Sequence, residues 1–276
     1  MSTTINTNVG AYTALANLTS INKRLNVVQN QVSTGLKVSS AVDDSSSFAI
    51  AQGIRGQIKA YAAVSQGLAT GRGIATVALS GANAISDLLG DVQAKITSGE
   101  NAGNSTAQQA LLNSDFQNLV AQINTFITNS AYNGANLLSG GSTSINILAN
   151  VDGSTLTVRS NSSFAVNSSA LGSQNLSSTV QAAQALSALL LAQTAIGVVL
   201  GNLGADSRLI NFQDSFISQL SDASNIGLGS IVDADLARAS SQLQALQVQQ
   251  QLAVQTLNIA NANPRALIPL FGISGG

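Results

Sequence analysis

The chain has 276 residues, a formal net charge of −1, only 8% charged residues, and no Cys, His or Trp. Without His or Cys it cannot build a zinc or haem site of the usual kind, a thiol nucleophile or a Ser-His-Asp triad, and no disulfide can form. A metal could be held only by oxygen ligands, which suits calcium or magnesium. The even charge balance offers nothing to nucleic-acid phosphates, and no catalytic residue, cofactor, bound metal or nucleic-acid partner is expected.

Residues 1–263 contain no proline, so ring geometry breaks no helix there. Ala11, Ala14, Leu18, Ile21, Leu25, Val28 and Val32 recur at alternating three- and four-residue steps. That narrow stripe predicts a first helix with a coiled-coil seam, stopped by Gly35. Asp43, Asp44 and Ser45 supply capping chemistry for a second helix over 45–98, roughly 80 Å long at 1.5 Å per residue. Its many glycines each cost about 1 kcal/mol relative to Ala, so neighbours must hold it. A third helix is predicted over 106–129, with Leu111, Leu112, Phe116, Leu119, Ile123 and Ile127 buried.

The period then changes. Residues 144–149 and 154–160 favour β-branched residues around Asp152-Gly153, a hairpin signal. Residues 160–178 are rich in Ser and Asn and read as irregular. Helical spacing returns over 180–223, with a glycine-bearing break at 225–229. The last helix starts near Asp233, capped by it, and ends before Pro264. Its seam is Leu236, Ala239, Leu243, Leu246, Gln250, Ala253, Leu257 and Ala260, and residues 239–264 carry no charge.

Residues 182–203 are apolar enough to consider as a membrane span. Gln184, Gln193 and Asn202 interrupt them and no Lys/Arg cluster or aromatic belt flanks them, so no span is expected. Residues 1–22 hold no Lys or Arg and no compact apolar core, unlike a secretory signal, so export would take another route. Asp43-Asp44 and the Asp233/Asp235 pair read as helix caps rather than as catalytic or metal-binding carboxylates.

The predicted fold is mainly α: an elongated antiparallel helical rod with terminal coiled-coil helices and a small β-hairpin insertion. The two terminal helices pair naturally with each other. An uncharged, glutamine-rich last helix is poorly suited to free solvent, and its seam, matched at the other end of the chain, favours packing between subunits. Polymerisation follows from the residues themselves, and the lone terminal helices are expected to order on assembly.

The arrangement resembles bacterial flagellin. Ile5-Asn6-Thr7-Asn8 is similar to that family's near-terminal I-N-T-N. Residues 31–44, Q-V-S-T-G-L-K-V-S-S-A-V-D-D, resemble its L-S-[ST]-G-x-[RK]-[IV]-x-x-A-x-D-D segment, and Phe48-Ala49-Ile50-Ala51 continues the likeness. Residues 203–212 loosely resemble its L-G-A-x-x-x-R pattern. Ile231-Val232-Asp233-Ala234-Asp235 resembles the acidic start of its last helix. Ala260, Asn261, Pro264, Leu267, Leu270 and Phe271 resemble its closing motif. The likeness covers about residues 1–138 and 180–271 and is strongest to short alphaproteobacterial flagellins. The insertion is too short for large outer domains. Residues 88–98 lack the R-E-L-A-V-Q-like run by which an innate immune receptor recognises enteric flagellins, and residues 272–276 extend past the family's usual end.

The resemblance implies a filament subunit for swimming motility, exported unfolded and folded at the filament tip. Its implied partners are further copies in a helical homo-polymer, the flagellar export machinery, a secretion chaperone and the filament cap. It would be secreted into the extracellular filament. The implied domains are an inner-tube unit of 1–42 with 226–276, an outer-tube unit of 43–140 with 179–225, and a surface insertion of 141–178. The expected polymerisation interface comprises Leu18, Ile21, Leu25, Val28, Val32, Arg55, Arg208, Leu236, Leu243, Leu246, Leu257, Leu267, Leu270 and Phe271. Two other readings are a hook–filament junction protein and a homologue that grips surface polysaccharide.

Overall fold

The computed structural model describes residues 7–262. Among them the elements are α1 (Val9–Thr34), α2 (Ser45–Gly99), α3 (Thr106–Asn129), β1 (Ala131–Tyr132), β2 (Ala135–Asn136), β3 (Ile145–Leu148), β4 (Thr155–Val158), α4 (Ser162–Gly172), α5 (Thr179–Val232) and α6 (Leu236–Ala262). The fold is mainly α, with two small antiparallel strand pairs. The chain forms two compact units, one of Met1–Gly56 with Ser224–Gly276 and one of Gln57–Ala223.

The Gln57–Ala223 unit has a continuous heptad core. On α2, Ala75, Ala78, Ala82, Ile85, Leu89, Val92 and Ile96 are buried at alternating three- and four-residue steps. On α5, Ala182, Ala185, Leu189, Ala192, Ile196, Val199 and Leu203 do the same. The two helices run antiparallel here: Ser65 Oγ donates to Asp214 at 2.9 Å, and further along Gln193 Nε2 donates to Gln93 at 2.9 Å. Small residues alternate with large ones, which lets the backbones approach closely.

Helix α3 begins with a reciprocal cap. Gln108 N donates to Ser105 Oγ at 3.3 Å and Ser105 N donates to Gln108 Oε1 at 2.8 Å. It buries Phe116, Val120, Ile123 and Ile127. The expected inward placement of Leu111 is corrected: that side chain is exposed, and Val120 lies inside.

The β3–β4 hairpin forms as expected, with Ile145 opposite Val158 and Gly153 at φ 90° in the turn. A second hairpin, β1–β2, turns on Asn133 and Gly134 at φ 51° and 79°. Two consecutive positive φ values at Asn-Gly are what a tight two-residue hairpin turn demands. The insertion and the end of α3 pack where α2 lacks side chains. A Cβ on Gly71 would stand 1.9 Å from Ile147 Cδ1, and one on Gly81 would stand 1.9 Å from Ser130 Oγ.

Two further expectations are corrected. Residues 162–172 form α4 rather than irregular chain, because Phe164, Ser168 and Leu171 fall at helical spacing and all three are buried. The break at 225–229 is absent, and α5 continues to Val232. Leu228 and Ile231 pack against the Val38, Ala51 and Val232 cluster, which offsets the glycine cost of about 1 kcal/mol per residue.

In the terminal unit α1 ends as predicted, with Gly35 left-handed at φ 71° and its N–H bonded to Gln31 O. Ala234 N then donates to Gly35 O at 2.9 Å and Lys37 N donates to Val232 O at 2.7 Å. These bonds join the two interhelix links. Asp44 caps α2, its Oδ1 accepting from Ser46 N and Ser47 N. The cap of α6 is Asp235, not Asp233: Arg238 N donates to Asp235 Oδ1 at 3.1 Å. Asp233 instead bridges to Leu36.

Candidate assembly surfaces

The terminal seams face each other within the chain. Val28, Ala239 and Leu246 are buried together, and Ile21, Leu25, Val32 and Leu243 pack on them. Six residues of the expected interface, Ile21, Leu25, Val28, Val32, Leu243 and Leu246, are therefore engaged in the α1–α6 pair. The pairing is tied at one end and near its middle. Asn8 Oδ1 accepts from Ala11 N at 3.0 Å, capping α1, while Asn8 Nδ2 donates to Ala260 O at 2.7 Å. Gln250 Nε2 donates to Asn22 at 2.7 Å.

The rest of the expected interface is scattered. Leu18 and Leu257 are half-buried, Leu236 is exposed, Arg55 is half-buried on α2 and Arg208 is exposed on α5. Leu267, Leu270 and Phe271 lie outside the described residues.

One side of the α1–α6 pair stays open. A groove of about 560 Å³ is lined by Lys23, Arg24, Val27, Leu246 and Gln249 among others. A second, of about 330 Å³, is lined by Ala14, Ile21, Arg24, Gln249 and Leu252 among others. Both include Arg24 and Gln249, so they run along the same side. Lys23 and Arg24 are the charges of α1, and no acidic residue lies on α1 or α6. No ion pair is formed among the described residues of this unit.

The carboxylates singled out from the sequence hold backbone. The Ser39 hydroxyl and the Ser40 and Ser39 amides donate to Asp43 and keep its carboxyl below the ordinary range. The Ser47 hydroxyl and amide do the same for Asp44. Among the described residues no group of three or more acidic side chains could hold a metal ion.

The other unit holds the three ion pairs found among the described residues. Asp206, buried on α5, accepts from Arg159 N at 2.9 Å and from Arg159 Nη2 at 2.8 Å, fastening the end of β4. Asp214 accepts from Ser65 and Arg72, and these bonds outweigh burial and lower its pKa. Lys95 pairs with Asp115. Helix α5 alone among the described helices is long and apolar enough to cross a membrane. One of its faces forms the core with α2. Its opposite face is marked in the sequence by steps of 11 and 7 residues between large apolar side chains.

Residues 5–143 match the family described as the bacterial flagellin N-terminal helical region. Residues 186–271 match the bacterial flagellin C-terminal helical region. The chain is 36% identical over 270 residues to flagellin FljO of Caulobacter vibrioides, covering 97% of this chain and 98% of that one. It is also 36% identical to a flagellin of Brucella melitensis, covering 96% of this chain and 98% of the relative. Paired terminal helices, the capped Asp43-Asp44 turn and these end-to-end matches agree: the chain belongs to the bacterial flagellins, the structural subunits of the flagellar filament.

Proposed function

We propose that the chain is exported unfolded, with the export machinery, a secretion chaperone and the filament cap as partners, and folds at the tip of the growing extracellular filament. The terminal helices, within 1–42 and 226–276, build its inner tube. Residues 43–140 with 179–225 build its outer tube, and 141–178 form the surface insertion. The observation that carries the inner-tube assignment is the α1–α6 pair: its seam is closed, yet one side is an open groove flanked by unpaired cations and uncharged glutamines. A surface of that kind gains burial from neighbouring subunits. Leu18, Leu236 and Leu257, left partly open by the pair, then contact other copies together with Arg55, Arg208, Leu267, Leu270 and Phe271.

Deletion of residues 253–276 tests this. The expected result is loss of filaments while the Gln57–Ala223 unit unfolds as before. Filaments of normal length after the deletion would refute the inner-tube assignment.

A further inference from the structure

Resting on the polymer reading, a second contact can be placed in the Gln57–Ala223 unit. Val180, Leu191, Val198, Leu209, Phe212 and Phe216 on α5 are each between 48% and 70% exposed. Five of them, Val180, Leu191, Val198, Leu209 and Phe216, are spaced 11, 7, 11 and 7 residues apart. A step of 7 drifts one way around a 3.6-residue helix and a step of 11 drifts the other way, so the alternation keeps the side chains in one straight ridge. Phe212 broadens it. The ridge runs 36 residues, roughly 54 Å along the helix. It carries no charge, and Asp206 and Asp214 on the same helix are turned to partners elsewhere.

The same unit has a surface of the opposite shape. On α2, Ala62, Ala69, Thr76, Asn83, Gly90 and Thr97 recur every seven residues, and all are exposed. The stripe itself is small and uncharged, and the exposed Asp87 flanks it between Asn83 and Gly90. Over residues 57–99, α2 exposes no large apolar side chain. A bulky ridge and a small-residue face complement each other, since small residues let a ridge settle close to the backbone.

We infer that in the filament the α5 ridge of one copy docks on the small-residue face of α2 of a second copy. The two faces are different surfaces of the chain, so the contact is heterologous: such a contact either closes into a ring or runs on as an open helix, and a filament is the open case. A lipid surface fits the ridge less well, because Arg208 is the one cation on α5 and a membrane-lying helix needs a basic rim.

The absence of Cys makes the test direct. Phe212→Cys is combined in the full chain with Cys at each of the six α2 positions in turn, and assembled filaments are oxidised. The expected result is a ladder of cross-linked dimers, trimers and higher species from one or two adjacent α2 positions. Phe212→Cys with Leu111→Cys on α3 should give none. In parallel, Phe212→Asp should leave monomer melting unchanged and raise the critical concentration for assembly about 100-fold or more. Normal filaments without any ladder, dimers from Phe212→Cys alone, or unimpaired assembly of Phe212→Asp would each overturn the docking. Failure of the unmodified chain to form filaments would overturn the polymer reading with it, and is distinguished by the absence of fibres before any substitution.

Discussion

The two units are built from the same kind of helix and held by different means. The Gln57–Ala223 unit buries a heptad core on α2 and α5, adds α3 and α4 to it, and contains the three ion pairs found among the described residues. The terminal unit has two clusters of three buried residues each and no ion pair among its described residues. Burial contributes about 25 cal/mol per Å² of apolar surface, so the first unit can hold itself together and the second depends on what surrounds it. The proposed assembly fits that division, with one part held by its own core and the other left to be completed by neighbouring copies.

The sharpest way to break this comparison is to remove one buried side chain from each unit. Phe116→Ala, at a fully buried site, should cost about 3–5 kcal/mol. Val28→Ala, in the small terminal cluster, should cost about 1–2 kcal/mol. Urea unfolding of the monomer, followed by a probe in each unit, reads both. Equal losses would mean that the units share one cooperative core.

A smaller effect is expected where the insertion is fastened. Asp206→Ala removes the acceptor for Arg159 N and its guanidinium. Arg159 is half-exposed and can turn to water, so the loss should be about 1–3 kcal/mol and local. Hydrogen exchange of the β3 and β4 amides checks it. Protection unchanged there would show that Ile147 on Gly71 suffices as an anchor.

Acid should act on the same unit through Asp214. Burial raises its pKa, but the bonds from Ser65 and Arg72 prevail and the folded value lies below the ordinary 3.8. A depressed carboxylate contributes stability that is full above the unfolded value and is lost as pH falls through the folded one. Asp214→Asn should therefore flatten the fall in stability below pH 3.8, and thermal melts from pH 5 to 2 measure it. An unaltered slope would assign the acid sensitivity to other carboxylates.

Much of this was legible before the structure because helix and cap signals are local. Residues 106–129 and the Gly35 stop are read from spacing and backbone freedom alone. What stayed hidden depends on tertiary contact. Helix α4 is masked by its Ser and Asn content, and only burial of Phe164 and Leu171 makes it helical. The glycines at 227 and 229 suggest a break, yet Leu228 and Ile231 are held by packing and carry α5 through. The seam residues were legible as apolar, but a seam does not say whether its partner is the same chain. The β1–β2 turn carries a plain Asn-Gly signal at Asn133-Gly134, but its strands of two residues each are too short to show an alternating pattern.

The finest distinction concerns two glycines on α2. Gly71 is buried, and an added Cβ would meet Ile147 at 1.9 Å. Gly71→Ala should therefore destabilise the monomer, modestly, because the end of an Ile side chain can shift. Gly90 is exposed with nothing within 4 Å of an added Cβ. Gly90→Ala should stabilise the monomer by about 0.5–1 kcal/mol, the ordinary helix gain of Ala over Gly. Thermal melts of the two variants compare them directly. If both destabilise, the Gly90 face is already used within the chain. If the signs differ, the isolated subunit has no use for a glycine at position 90, and the space it leaves open serves a surface that another copy brings.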